Sequence, residues 1–351
     1  MMRWSLGFVL VGLLVSTAIG RADAPPPAPE LPADVDLVPR DVFMIFAMRP
    51  ADLASNVIDA KLLKQLDKLF QSPVQQNKKE LPLEPGDIER VIAAIDQFNP
   101  LNANNQQPGA AVVVLAKKAL DPKKILDGIL PDAKKDKIGD KNYFLAGNNA
   151  LFFHGERIFC FGDQKTITRW LKLSEAGRRT GALSGALKLA VDQDLVMAMN
   201  PQSLAQLLPL VGGQVPPEFQ PLMHLVKCKT SVLSVSVRDE LEIDLIVTLG
   251  DQATRDAAAK DGRAGLNKLA ELIGPLQKTL PDEGLPKTAK LLEAAQAALK
   301  KAPVRQEGLR VHIPVYVQAD KKTIQAAVEE LIRKIPGAGF DAVPADPQQK
   351  N

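Results

Sequence analysis

One segment of the chain recurs in altered form, and this recurrence constrains the fold more than any other feature of the sequence. Residues 44–54 read MIFAMRPADLA, and residues 195–205, which begin 151 positions later, read LVMAMNPQSLA. In both segments an apolar run of strand length is followed by a proline and by the start of a helix. A second pair follows in the same order, with FCFGDQKTI at 159–167 and YVQADKKTI at 316–324. Two matches in the same order predict an internal duplication.

We therefore predict the α+β fold class, built from two diverged copies of one α+β unit. Each unit begins with strand, proline and helix and ends with strand, aspartate and helix, and its mostly antiparallel sheet is flanked by amphipathic helices. The units are placed at 39–180 and 181–335. The chain has 351 residues, 46% of them hydrophobic, which is enough for two such domains. Chance recurrence of a common strand-to-helix pattern is the alternative.

Hydrophobic periodicity predicts the individual elements. The predicted strands lie at 42–48, 111–116, 195–199 and 311–317, with a three-strand meander over 143–161 and a hairpin formed by 232–237 and 241–247. The predicted helices begin after 49 and after 200, and further helices lie at 86–95, 121–130, 164–173, 253–273, 287–301 and 320–332.

The N-terminus has the pattern of a secretory signal peptide over residues 1–24. Arg3 supplies the positive charge, residues 4–20 are uncharged and apolar, and small residues follow. Cleavage is expected after Gly20, Ala22 or Ala24. An uncleaved membrane anchor is the alternative, because the apolar run nearly reaches the length that spans a bilayer. The pattern favours a periplasmic or secreted protein without a stable membrane span after cleavage.

Two segments outside the predicted units have the composition of unpaired chain. Residues 25–38 begin with PPPAPELP, which favours an extended leader because proline donates no backbone hydrogen bond. Residues 336–351 are predicted to form a disordered tail.

Two cysteines, Cys160 and Cys228, would enter an oxidising compartment after export. Each lies in a predicted strand. A disulfide between them is one outcome, and two separate buried thiols are the other, since free cysteine often packs as a small hydrophobic residue.

The sequence has few residues suited to cofactor or metal chemistry. It contains no glycine-rich nucleotide motif, and its three histidines, His154, His224 and His312, lack the spacing of metal ligands. We therefore predict no cofactor and no metal site. A net charge of +3 and an aromatic content of 5% also argue against nucleic acid as a partner.

Polar residues follow the two recurring strands and are the candidate binding residues. Arg49 and Asp52 come directly after the first strand, and their counterparts after the second strand are Asn200 and Ser203. Strand ends are common places for sites, although Asp52 is also a typical residue for a helix start.

The segment VPRDVFMIFAMRPADLA, at 38–54, resembles the start of secreted bacterial proteins of unknown function, especially those of planctomycetes. The matching residues are Pro39, Asp41, Arg49, Pro50, Asp52 and Leu53. The resemblance implies export and a duplicated α+β architecture, and it implies no activity and no catalytic residue.

These features favour an exported, non-enzymatic binding or envelope-associated protein. Its ligand is unknown, and an apolar ligand or an envelope protein is the expected partner. A large apolar pocket or patch would support this hypothesis. An envelope hydrolase that uses carboxylates is the alternative and requires two converging acidic groups, at least one with a perturbed pKa. A purely structural secreted protein is a third reading and predicts no pocket.

Overall fold

The strands form one large antiparallel sheet, which confirms the α+β class. The computed structural model describes residues 31–56, 83–96, 109–201, 228–238 and 240–333. The sheet has 12 strands in the order β11-β12-β10-β9-β8-β1-β2-β3-β7-β6-β5-β4. The strands are β1 (Met44–Met48), β2 (Ile88–Ile95), β3 (Ala110–Ala116), β4 (Lys134–Ile138), β5 (Lys141–Ala146), β6 (Asn149–His154), β7 (Ile158–Asp163), β8 (Leu195–Met199), β9 (Cys228–Val237), β10 (Leu241–Leu249), β11 (Arg305–Glu307) and β12 (Arg310–Val317).

Helices lie on both faces of the sheet. They are α1 (Ala33–Asp36), α2 (Pro50–Asn56), α3 (Pro122–Ile129), α4 (Gln164–Lys172), α5 (Glu175–Arg179), α6 (Ser184–Asp192), α7 (Gln252–Thr279), α8 (Pro286–Lys301) and α9 (Lys321–Arg333). As the sequence predicted, Asp121 caps α3 by accepting from the backbone N–H of Lys123 at 3.1 Å. Asp320 accepts in the same way from the N–H of Thr323 at 2.7 Å before α9.

The front face of the sheet is defined here as the face that carries Ile45, Val113, Cys160 and Val196. These residues form one core with α1, α4 and α6. The back face is the opposite one. There α3 packs on β3, β6 and β7 around Phe159, while α7 and α8 pack on β10 and β12 in a second core. The two faces therefore have separate hydrophobic cores on one continuous sheet.

The two recurring strands are neighbours at the centre of the sheet. β1 and β8 pair antiparallel, with Phe46 opposite Met197 at the middle of five paired positions. From this pair the sheet extends through β2, β3 and β7 on one side and through β9, β10 and β12 on the other. This order supports the duplication. The second sequence match does not, because Cys160 faces the front core whereas its counterpart Val317 belongs to a back core. The duplication therefore stays a prediction.

One predicted helix is a strand. Residues 86–95 were expected to be helical, but Pro85–Asp87 forms a short 3-10 turn and Ile88–Ile95 forms β2. Burial alternates along β2, and the side chains of Ile88, Arg90, Ile92 and Ala94 are buried. The buried Arg90 interrupts the apolar alternation that would have identified a strand from the sequence.

Several predictions concern residues outside the described ranges. These are the signal peptide at 1–24, the start of the leader, the helix after residue 200 and the tail at 336–351. Residues 31–38 of the leader are described, and they are folded rather than extended. Val35 and Val38 are buried in the front core, and Asp34 forms an ion pair with Arg90 at 2.6 Å.

Candidate functional site

The strand-exit residues that the structure describes, Arg49, Asp52 and Asn200, do not converge. Arg49 forms a salt bridge with Asp52 at 2.7 Å, and its backbone N–H donates to the carbonyl of Asp194 at the start of β8. Asn200 lies at the other end of the strand pair, where its N–H donates to the carbonyl of Phe43 at 2.7 Å. Because β1 and β8 are antiparallel, these two ends are separated by the length of a strand of five residues, roughly 17 Å. Ser203 lies outside the described residues.

A cavity of about 50 Å³ lies in the front core, and we name it the Trp170 cavity. Its walls come from the turn after α1, from β6 and β7, and from α4. The apolar walls are formed by Leu37, Phe152, Ile167, Trp170 and Leu171, together with the thiol of Cys160. Phe152, Cys160, Ile167, Trp170 and Leu171 are buried, so the cavity is enclosed mainly by hydrophobic side chains.

Three basic residues complete the lining, and we call them the basic rim: Lys141, His154 and Arg178. His154 is exposed, and the other two are half-buried, so the rim lies on the solvent side of the apolar walls. None of the residues that line the cavity is acidic. The site therefore combines an apolar interior with a positively charged border.

Backbone carbonyls at the end of α4 hold the rim in place. Lys141 Nζ donates to the carbonyl of Leu171 at 2.9 Å, and Arg178 Nη1 donates to the carbonyl of Leu173 at 3.1 Å. These bonds use only part of each donor set, since an ammonium has three N–H donors and a guanidinium has five. The remaining donors are available to an anion.

Two buried N–H groups at the cavity have no acceptor among the described residues. They are the indole Nε1–H of Trp170, a residue that is only 4% exposed, and the Nε–H of Arg178. A buried donor without a partner costs about 1–3 kcal/mol. The Nε–H groups of Arg49 and Arg90, which do not line the cavity, also lack an acceptor in the part of the chain that the structure describes. Such donors therefore do not mark a ligand site by themselves.

The electric field of the rim affects His154. The pKa of His154 is lowered from its ordinary value of 6.5, first by desolvation and then by the positive charges of Arg178 and Lys141. Only the smaller contributions, those of Arg178 and Lys141, reflect the positive charge of the rim. His154 is therefore mainly neutral at pH 7, and the permanent charges of the rim are those of Lys141 and Arg178.

The two cysteines lie in different cores and are both free. Cys160 lines the Trp170 cavity on β7, while Cys228 belongs to the back core on β9. Four strands separate β7 from β9 in the sheet, and strands lie about 4.8 Å apart, whereas a disulfide requires Cα atoms within about 7 Å. The disulfide considered from the sequence is therefore not formed. Burial raises the pKa of both thiols, that of Cys228 to about 12.

The segment around Arg40 positions α5, which carries Arg178. The backbone N–H of Arg40 donates to the carbonyl of Arg178 at 3.0 Å, and its carbonyl accepts from the N–H of Leu183 at 3.0 Å. The buried Arg40 guanidinium also donates to the carbonyl of Arg179 at 2.9 Å. Arg179 forms an ion pair with Asp36 of α1 at 2.9 Å. The N-terminal segment thus fixes one side of the basic rim.

Other chemistry finds less support in the described residues. In the part of the chain that the structure covers, no three His, Cys, Asp or Glu side chains are grouped as a metal site requires. The carboxylates whose pKa shifts are Asp136, Asp251 and Asp320, and each is lowered, chiefly by hydrogen bonds. A general acid requires a shift in the opposite direction.

Sequence reasoning did not identify the Trp170 cavity. The search from sequence concerned histidines, carboxylates and strand ends, whereas the cavity is formed by residues that are far apart in the chain. One signal was available: α4 places Ile167, Trp170 and Leu171 on one buried face, which marks the helix as a wall of the core.

Comparison with known proteins assigns no family to the chain. No protein-family model matches it, and no curated protein matches it. Crystal form III of TP0453 is similar with a TM-score of 0.39 and 10% identity, covering 89% of this chain and 100% of that one. Crystal form I of TP0453 gives a TM-score of 0.37 and 9% identity, covering 85% and 96%. Among the described residues, every helix is too short or too polar to cross a bilayer.

Proposed function

We propose that the protein is an exported, non-enzymatic binding protein and that the Trp170 cavity is its ligand site. The observation that carries the proposal is an apolar cavity bordered by Lys141, His154 and Arg178. No acidic residue in the lining neutralises this border, so its charge suits an anionic group on a ligand. The signal-peptide pattern of residues 1–24 supports the export part of the proposal.

The described residues favour binding over catalysis. The cavity has no acidic lining residue, so it lacks the paired carboxylates of a hydrolase. Burial raises the pKa of its thiol, Cys160, whereas a nucleophilic cysteine needs a lowered pKa. Its remaining groups are N–H donors and hydrocarbon. Its volume of about 50 Å³ is far below that of the large apolar pocket expected from the sequence, so it admits only one end of a small molecule.

The test is the mass of the protein after export from its native host, measured under native and then denaturing conditions. We expect the native mass to exceed the denatured mass by one small, discrete amount. The adduct should persist in Lys172→Gln, which removes an exposed charge from α4, and should be lost in Arg178→Gln, which removes a rim charge. Cys160→Met, which fills the cavity, should also remove it.

Equal native and denatured masses in the wild-type protein would contradict the proposal. The denatured mass also tests export, because a processed chain must begin after Gly20, Ala22 or Ala24 if the signal peptide is cleaved as predicted. A full-length mass in the exported fraction would support the membrane-anchor alternative instead.

A further inference from the structure

We infer that the ligand of the Trp170 cavity is a short-chain monocarboxylate, whose hydrocarbon end enters the cavity and whose carboxylate lies against the basic rim. This inference rests on the proposed function and adds the chemical class of the ligand. It follows from the volume of the cavity, the polarity of its walls and the charge of the residues at its border.

The volume limits the hydrocarbon. A dry cavity of about 150 Å³ binds benzene, so a cavity of about 50 Å³ admits roughly two carbon atoms. The walls are hydrocarbon apart from the Cys160 thiol and the Trp170 indole, and an apolar cavity of this kind does not hold water well. An inorganic anion such as phosphate would leave the apolar part empty. A ligand with a methyl or ethyl end would fill it.

The rim specifies the polar end. Lys141 and Arg178 carry N–H donors at the border of the cavity, and a carboxylate has two acceptor oxygens. Lys141 and Arg178 supply positive charge at the same border, with no acidic residue in the lining to neutralise them. An alcohol offers less acceptor capacity and no charge, while an ammonium ion would be repelled. The arrangement therefore selects a carboxylate over a neutral or cationic molecule of the same length.

The fluorescence of Trp170 reports directly on the cavity. The chain has two tryptophans, Trp4 and Trp170, so in a Trp4→Phe variant of the full chain all indole emission comes from the wall of the cavity. We would titrate this variant with acetate, propionate, butyrate and octanoate. 1-Butanol and butylammonium serve as the neutral and cationic probes of matched length.

We expect a saturable change in Trp170 emission with the carboxylates, with the tightest binding at propionate or butyrate. The alcohol and the ammonium ion should bind at least about tenfold more weakly, the difference that one charge-assisted hydrogen bond contributes. Arg178→Gln should weaken butyrate binding by about tenfold or more for the same reason. Lys172→Gln removes the same charge from an exposed position outside the lining, and it should change the affinity less than about twofold.

Three results would overturn the assignment of the ligand class: equal binding of 1-butanol and butyrate, an affinity unchanged by Arg178→Gln, or an affinity that keeps rising through octanoate.

The two proposals can fail separately. If host-exported protein carries an adduct that butyrate does not displace, the ligand belongs to another class and the binding function stands. If there is no adduct and no carboxylate binds, the cavity is a packing defect of the front core and both proposals fail.

Discussion

At the scale of single residues, a buried ion pair between Asp34 and Arg90 constrains the N-terminal segment. Their side chains are 2% and 4% exposed and 2.6 Å apart, and Arg90 Nη2 also donates to the carbonyl of Val191 at 3.4 Å. Removing one partner leaves a charge in the core without compensation. The pair therefore holds α1 against the front face although it lies in a segment that the sequence predicted to be unpaired leader.

We expect Asp34→Ala to lower the free energy of unfolding by about 3–5 kcal/mol, because Arg90 would stay buried without its partner. Urea denaturation measures the change. The double variant Asp34→Leu with Arg90→Met should recover most of the loss, since well-packed apolar residues often replace a buried ion pair without penalty. Lys118→Gln, which breaks an exposed pair with Asp87 at 3.6 Å, is the control and should cost at most about 1 kcal/mol. If Asp34→Ala lowered the free energy of unfolding by less than about 1 kcal/mol, the value for an exposed pair, the ion pair would not be the constraint on α1 described here.

His154 gives a prediction of pH dependence. Its pKa in the folded protein is lowered from 6.5 by desolvation and by the charges of Arg178 and Lys141. The unfolded chain therefore takes up a proton at a higher pH than the folded protein does. The contribution of His154 to stability is fully present above pH 6.5 and is lost as the pH falls through the lowered folded pKa.

NMR titration of the His154 ring, assigned with His154→Gln, should give a midpoint below 6.5. Arg178→Gln should raise this midpoint because it removes a nearby positive charge, whereas Lys172→Gln should leave it in place. Bound butyrate should raise it as well, since a carboxylate at the rim favours the protonated ring. A midpoint at or above the ordinary value in the free protein would show that the rim does not have the positive field described.

At the scale of elements, the contact between the Arg40 segment and the α5–α6 connection depends on a glycine. A Cβ atom at Gly181 would lie 2.1 Å from the backbone carbonyl carbon of Arg40 and 2.5 Å from the backbone nitrogen of Asp41. Backbone atoms cannot rotate away, so any side chain here separates two segments that exchange hydrogen bonds. Because α5 carries Arg178, the same contact supports the basic rim.

Gly181→Ala should therefore destabilise the protein by about 1–3 kcal/mol, the usual cost of overpacking, and should weaken ligand binding at the Trp170 cavity. Gly185→Ala is the matched control. It lies four residues away in α6, where an added Cβ meets nothing within 4 Å, and it should be neutral or stabilising by up to about 1 kcal/mol because alanine favours the helix. Thermal unfolding of the two variants measures both effects. Equal stability of the two variants would show that the Arg40 segment can shift at little cost.

The sequence predicted elements well where one physical signal dominated, and failed where a tertiary contact decided the outcome. The caps Asp121 and Asp320 and the meander of β5, β6 and β7 depend on local interactions, so they were found. The helix predicted to open at Gly86 and Asp87 is instead β2, and the buried Arg90 hid the alternation that marks a strand. Asp34 compensates the buried charge of Arg90, and it lies 56 residues away in the sequence. No local sequence pattern therefore indicates the pair.

At the scale of the whole molecule, the pairing of β1 with β8 joins the two predicted units into one sheet. The front core crosses this junction, since Ile45 and Ala47 of β1 pack in the same cluster as Val196 and Ala198 of β8. Separating the units would expose these buried side chains and break a ladder of five paired positions. We therefore expect the two halves to unfold in one cooperative transition, although the sequence predicts that each half is a separate α+β unit.

The native cysteines report on the two halves separately, because Cys160 lies in the front core of the first unit and Cys228 in the back core of the second. Both thiols are buried with a raised pKa, so both should resist alkylation until the surrounding core opens. We would alkylate the protein at increasing urea concentration and map each modified cysteine by mass. Both cysteines should become reactive at the same midpoint urea concentration. Asp34→Ala should lower this midpoint equally at both sites, although Asp34 lies in the first half. If Cys228 kept its midpoint while Cys160 lost protection, the halves would be independent domains joined only at β1 and β8. An equal decrease in the midpoint at both cysteines would mean that the front core, which contains the cavity, unfolds together with the entire sheet and with the helices on its back face.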